Sequence, residues 1–193
     1  MNCQKKNVSV LVEKISCEIQ SEKIILAFGI PKPAAFEFII KRCSEVGLYA
    51  FQPLVTRFSQ YQGYFNQKKW EKIILEISKQ CEQTYFPKLL PAMAFSEWLK
   101  KTAHHQPIIC CSSSHRYSKI DTEELKKLSL KHAYYSLLIG PEGDFSQQEL
   151  AEIENAASQL QDYSFKYLGL GKNRLRTETA ALTAIIVLKR LLE

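Results

Sequence analysis

Between Val8 and Ile19 apolar residues alternate loosely with polar ones (Val8, Val10, Val12, then Ile15, Cys17 and Ile19), which predicts one or two short strands. Nothing nearby in the chain closes them into a domain, so they read as the tail of one. From Lys23 the period changes. Ile24 to Phe28 is an unbroken apolar run ended by Gly29, a buried strand. Pro31 and Pro33 delay the next helix to Ala34, and Phe38, Ile39 and Cys43 carry it at helical spacing to Val46, where Gly47 stops it. A second strand covers Ala50 to Val55. Asn66 is placed to cap a helix over Gln67 to Gln83, with Trp70, Ile73, Ile74, Ile77 and Cys81 as its apolar stripe. Beyond Pro87 and Pro91 comes a short helix, Ser96 to Lys101. Then follow a strand (Ile108 to Cys111), a charged surface helix (Asp121 to Leu130) and a strand (Tyr134 to Ile139). Ser146 and Glu149 form a capping box for the next helix. A last strand, Phe165 to Leu168, precedes an apolar helix from Thr179 to Leu192.

Strands separated by helices predict an α/β fold whose largely parallel sheet carries helices on both faces. Such sheets bind ligands beyond the carboxyl ends of their strands. Two unusual loops fall there, one after Ile139 and one after Leu168.

Composition narrows the picture modestly. The chain of 193 residues can bury a substantial core, with room for one domain and a small appendage. Its formal charge is +6, from 26 Lys and Arg against 20 Asp and Glu, which mildly favours a polyanionic partner. The six cysteines contain no Cys-x-x-Cys pair and read as reduced thiols. Met1 to Ser9 lacks the pattern of a secretory leader, and no apolar run approaches the ~20 residues of a membrane span. A cytoplasmic protein without a membrane partner is expected. The four histidines make no metal-ligand set, so no metal is expected.

In the first loop, Gly140-Pro141-Glu142-Gly143, glycines would let backbone approach a flat ligand and Glu142 offers a carboxylate at the strand tip. The same residues would serve as a tight strand-to-helix turn with a surface Glu. The second loop, Leu168 to Thr179, holds two glycines, three cations and a carboxylate before a helix whose cap would be Thr177 or Thr179. Charges between a core strand and a core helix must satisfy one another, as an Arg176–Glu178 network, or serve a ligand. Neither loop carries a dinucleotide or Walker-type glycine pattern.

Leu-Ile-Gly-Pro-Glu-Gly-Asp-Phe-Ser (138–146), followed by Leu-Arg-Thr-Glu-Thr-Ala (175–180), resembles the RsmE family of 16S rRNA (uracil-N3)-methyltransferases, of the SPOUT, or α/β-knot, class. The similarity extends upstream through Lys41 to Gly47, Pro53-Leu54, Thr56-Arg57, Trp70 to Ile73 and Gln80-Cys81, from about residue 20 to the end. The resemblance implies a trefoil-knotted methyltransferase domain over residues 21–193. Residues 1–20 would be the remnant strands of a PUA-like RNA-binding β-barrel, most of which is missing. It further implies S-adenosyl-L-methionine (AdoMet) as cofactor, 16S rRNA within the 30S subunit as partner rather than DNA, and a homodimer. The chain departs from the family pattern at Asp144, where glycine is common. It also departs at Gln83, where arginine is usual, and at Asn173 and Arg174, where an arginine has moved one place.

By the same resemblance, Leu138, Ile139, Gly140, Pro141, Gly143, Leu168, Gly169, Leu170, Gly171, Leu175 and Thr177 would cradle AdoMet. Glu142 would orient the substrate or take the N3 proton, since a protonated imide nitrogen is a poor nucleophile. Arg176 would meet the uracil carbonyls or a phosphate, with Glu178 at the same centre or anchoring it. Lys41, Arg57, Arg116, Lys172 and Arg174 are candidate RNA contacts, each also readable as a solvated surface cation. Tyr61, Tyr64 and Phe65 would stack bases or pack on the domain. Rival readings are a knotted methyltransferase acting at another RNA site or at ribose, and an AdoMet- or RNA-binding protein with reduced or no activity.

Overall fold

The computed structural model describes residues 11, 13, 23–60, 66–102, 108–111, 134–159 and 166–192. Strand β1 (Lys23–Gly29) leads to helix α1 (Pro33–Val46), β2 (Ala50–Val55) and α2 (Gln67–Gln80). Two short strands follow, β3 (Lys88–Leu89) and β4 (Met93–Ala94), then α3 (Phe95–Thr102) and β5 (Ile108–Cys111). The chain continues through β6 (Tyr134–Ile139), α4 (Gln147–Gln159), β7 (Lys166–Tyr167) and α5 (Thr177–Leu192). The expected strands over Val8 to Ile19, the helix over Asp121 to Leu130, Tyr61, Tyr64, Phe65 and Arg116 lie outside the described residues, as does the boundary near residue 20.

All the described strand pairs are parallel, in the order β3-β2-β1-β6-β5-β7, with β4 also on β2. The alternation of side chains along a strand sorts the core into two layers. Leu26, Phe28, Phe51, Tyr135, Leu137 and Ile139 face one way and pack with Phe36, Ile39 and Ile40 of α1, Ile74 of α2, and Ala184 and Leu188 of α5. Ala27, Leu54 and Leu138 face the other way, against Phe95, Trp98 and Leu99 of α3 and Ile153 of α4. Both faces are thus covered, as expected of a parallel sheet. No helix among the described residues is long and apolar enough to cross a membrane.

Several expectations need correction. The stretch around Pro87 and Pro91, to which the sequence pattern assigns no strand, contains β3 and β4. Helix α2 ends at Gln80, three residues early, because Glu82 takes a left-handed conformation (φ 54°) and turns the chain. Cys81 is therefore exposed rather than part of the apolar stripe. Its start is as read: Asn66 Oδ1 accepts the Lys69 N–H at 3.0 Å. Helix α5 begins at Thr177, and Arg176 occupies the N-cap place, its carbonyl accepting the Ala180 N–H at 2.8 Å. Neither threonine is the cap; Thr177 is buried as the first helical residue.

Candidate active site

The strand order reverses between β1 and β6, and ligand sites of open α/β sheets form at that crevice. Here the two strand ends are in close contact: a Cβ at Gly29 would stand 2.6 Å from Pro141 Cδ. Beyond Ile139 the chain folds into a tight turn, with the Asp144 N–H bonded to the Pro141 carbonyl at 2.9 Å. Asp144 holds the left-handed conformation that this turn needs (φ 61°), and its Oδ1 accepts the Phe145 N–H at 2.9 Å. Aspartate tolerates this region better than most residues, since its short side chain bonds local backbone. A Cβ at Gly140 would meet Asp144 Oδ1 at 2.8 Å, and one at Gly143 would meet Phe58 Cβ at 2.9 Å. Both glycines thus leave room for contacts within the protein.

The capping box read from the sequence is present and reaches further. Glu149 Oε2 accepts the Ser146 N–H and hydroxyl, each at 2.8 Å, and Ser146 Oγ accepts the Glu149 N–H at 3.3 Å. Glu149 Oε1 accepts the Arg57 N–H at 2.8 Å, joining the turn after β2 to the loop after β6. Arg57 thus lies at the carboxyl edge of the sheet with its side chain exposed.

Two adjoining hollows open between the loop after β6 and the loop from β7 to α5. The first is walled by Ile139, Gly140, Pro141, Leu168, Leu170, Gly171 and Leu175, seven of the residues expected at the cofactor. Asp144, Asn173 and Ala180 complete it together with Glu142 and Arg174. The second hollow gathers Glu142, Arg176 and Glu178, all three candidates for chemistry, with Arg174, Leu175, and Lys32, Ala34 and Ala35 from the start of α1. Glu142, Arg174 and Leu175 belong to both and form the wall between them.

That wall is held from two sides. Glu142 Oε1 accepts the Lys32 N–H at 3.0 Å, so its carboxylate sits at the positive end of α1. The Glu142 carbonyl accepts a bond from Arg174 Nη2 at 3.3 Å, linking the two loops. No Arg176–Glu178 ion pair exists among the described residues; the exposed Arg176 guanidinium is left to the second hollow.

Other expected residues fall outside both hollows. Leu138 points into the opposite core layer, Gly143 packs against Phe58, Thr177 is buried, and Gly169 and Lys172 are exposed beside the cleft. Lys41 lies on the outside of α1, paired with Glu37 at 2.6 Å. Gln83, read as the loss of an RNA-facing cation, lies at the far edge of the sheet: its Nε2 donates to the Ser44 carbonyl at 2.6 Å and helps close the end of α1. Lys32, Ala34, Ala35, Asp144, Asn173 and Ala180 were not expected in the walls. The signal for the first three was present, since Pro31-Lys32-Pro33 starts a helix at the carboxyl end of β1.

The profile of the RNA methyltransferase domain matches residues 18–189. The chain is 30% identical over 171 residues to the ribosomal RNA small subunit methyltransferase E of a Synechocystis strain, covering 88% of this chain and 54% of that protein. It is 28% identical to the protein of the same name from Rickettsia conorii, covering 94% and 70%. Among solved structures, a ribosomal RNA small subunit methyltransferase E from Neisseria gonorrhoeae bound to S-adenosyl methionine is similar at a TM-score of 0.75 and 25% identity, over 88% of this chain and 66% of that one. A methyltransferase from Legionella pneumophila, described as putative and in complex with the same cofactor, gives 0.68 and 27% over the same shares. The chain thus spans about half the length of the Synechocystis relative.

Proposed function

Because the chain belongs to the RNA methyltransferase domain family, and within it is similar to the methyltransferases of small-subunit ribosomal RNA described above, we propose that it methylates N3 of a uridine in 16S rRNA using AdoMet. The observation that supports this most is the pair of hollows sharing one wall, an apolar cleft beside a charged pocket. The two reactants of a methyl transfer need that arrangement, because the nucleophile must approach the methyl group in line.

The cleft fits the cofactor by its chemistry. Ile139, Leu168, Leu170 and Leu175 offer apolar surface to an adenine ring, and Asp144 and Asn173 offer polar groups beside it. AdoMet supplies an electrophilic methyl group when bound. The target nucleotide takes the second hollow. There Arg176 offsets the charge that grows on the uracil carbonyls as N3 loses its proton. One Glu142 oxygen is committed to the Lys32 N–H, which fixes the carboxylate; the other receives the N3 proton. Lys32 and Arg174 hold phosphate, and Glu178 supports the start of α5 and the setting of Arg176.

On the same reading the final loops thread as a trefoil knot and the protein works as a homodimer in the cytoplasm on the 30S particle. Residues 1–20 belong to a PUA-like part and 21–193 to the methyltransferase domain. The test is transfer of labelled methyl from AdoMet to 30S particles lacking the mark, with the modified nucleoside identified by mass spectrometry. A single 3-methyluridine is expected. Methyl on ribose or on another base would overturn the N3 assignment, and tight AdoMet binding with no transfer would overturn the activity. E142Q and R176A should each lower turnover by about 10²-fold or more while leaving AdoMet affinity near the parent value. Unchanged turnover would remove them from the site.

A further inference from the structure

At the amino edge of the sheet, opposite the hollows, four adjacent strands present an alternating row of lysines and tyrosines. In the order β3-β2-β1-β6 these are Lys88, Tyr49 just before β2, Lys23, and Tyr134. Backbone pairing places them side by side: Lys23 is in register with Tyr134, and the Lys88 N–H bonds the Tyr49 carbonyl at 3.0 Å. The side chains form one cluster. Lys23 Nζ donates to the Tyr134 hydroxyl at 3.2 Å, and Lys88 Nζ to the Tyr49 hydroxyl at 3.1 Å. The two rings meet edge to face at 5.4 Å. Lys23 lies 4.8 Å from the Tyr134 centroid, and Lys88 lies 5.0 Å from that of Tyr49.

No carboxylate among the described residues pairs with either lysine. Two ammonium groups are therefore held close together with only phenol rings and hydroxyls between them. The Tyr49 hydroxyl, which accepts from Lys88 and contacts Tyr134, ionises more readily than a free tyrosine, in keeping with uncompensated positive charge nearby. The row is half-buried at its base and open to solvent, with Lys88 exposed. Basic groups interleaved with aromatic rings suit a nucleic-acid strand, phosphates to the cations and bases to the rings.

We propose that this row is a second RNA contact, separate from the hollows, that holds a single-stranded segment of the substrate by phosphate contacts at Lys23 and Lys88, with Tyr49 and Tyr134 as the surface for its bases. It rests on the reading that the chain acts on RNA. Strand β1 has seven residues, which sets the two edges roughly 20 Å apart. An RNA touching both must be large or folded, whereas a short oligonucleotide occupies one or the other.

The test compares the parent chain with K23Q/K88Q, and with K88Q alone because Lys88 is the more exposed. Binding to a folded small-subunit rRNA fragment and to a short uridine oligonucleotide is measured across a range of salt. For the folded RNA, the slope of log affinity against log salt should shrink by about 1.4 in the double variant and about 0.7 in K88Q, the single-strand value per lost phosphate contact. AdoMet should bind as before, and K23R/K88R should restore the slope. An unchanged slope on the folded RNA would overturn this inference while leaving the proposed activity standing. A parent chain that bound neither RNA would overturn both.

Discussion

Replacing Glu149 by alanine tests how the site's two supporting loops are held together. Glu149 is only 7% exposed, and its carboxylate accepts three hydrogen bonds at 2.8 Å, from the Ser146 N–H, the Ser146 hydroxyl and the Arg57 N–H. Two belong to a capping box, whose loss alone costs about 1 kcal/mol. The third crosses 92 residues of chain to the turn carrying Phe58, which fills the space beside Gly143. Bonds to a charged acceptor contribute about 1.5–3 kcal/mol each, but Arg57 is exposed and water can replace part of the loss. The expected cost of E149A is therefore about 2–4 kcal/mol, well above the ~1 kcal/mol expected for S146A, which removes only the cap hydroxyl. E149Q should fall between the two, since an amide has one acceptor oxygen for two differently placed backbone donors.

Urea denaturation of E149A, E149Q and S146A gives these differences, provided the slope with denaturant is unchanged. Calorimetric titration should also show weaker AdoMet binding in E149A, because the loop from Gly140 to Asp144 loses its tether to the β2 turn. A stability loss in E149A within ~0.5 kcal/mol of that in S146A would refute the reasoning, since the Arg57 bond would then contribute nothing.

G140A should weaken AdoMet binding at least tenfold by calorimetry, because the new Cβ would lie 2.8 Å from Asp144 Oδ1 and 3.2 Å from its Cα, forcing open the turn that walls the cleft. K189M should cost about 1–2 kcal/mol in thermal or urea unfolding, since Lys189 Nζ bonds the Val46 carbonyl at 2.8 Å at the negative end of α1. Its AdoMet affinity should not change, because that end lies across the sheet from the hollows. Absorbance titration of the phenols should find one tyrosine ionising below the usual ~10 in the parent and returning toward it in K88Q. Tyr49 is an acid whose ionisation is eased by folding, so its contribution to stability is present above the unfolded value and fades as pH falls through the folded one.

What could be read in advance followed the reach of each interaction. Ala50 to Val55 and Tyr134 to Ile139 match the observed strands residue for residue, because a buried parallel strand must be apolar on both faces. Strands β3 and β4 left no such trace. Each has two residues, and their bonds are to the backbone of β2, so side chains carry no period. The composition of the two loops announced a site, and their pairing across one cleft is what the sheet adds. The contact behind Gly143 was hidden for a different reason. Gly140 and Gly143 face Asp144 and Phe58, and Phe58 comes from a turn 85 residues earlier, a contact that local sequence does not encode. The tie at Gln83 was hidden in the same way, since its partner carbonyl at Ser44 lies 39 residues back.

The departures from the family pattern acquire a physical meaning at the wall between the hollows. Asp144 stands where glycine is common, at a left-handed turn position; it accepts the conformational cost and recovers a bond to the Phe145 N–H. The turn survives the exchange because the backbone bond from Asp144 to Pro141 does not depend on the side chain. The arginine that has moved from 173 to 174 follows a similar logic. The segment from Leu168 to Arg176 has no regular structure, so a one-place shift does not turn the side chain to an opposite face as it would in a strand. Arg174 bonds the Glu142 carbonyl and borders both hollows, while Asn173 takes a place in the cleft. The cation at the wall is thus held by how the loop lies against Glu142.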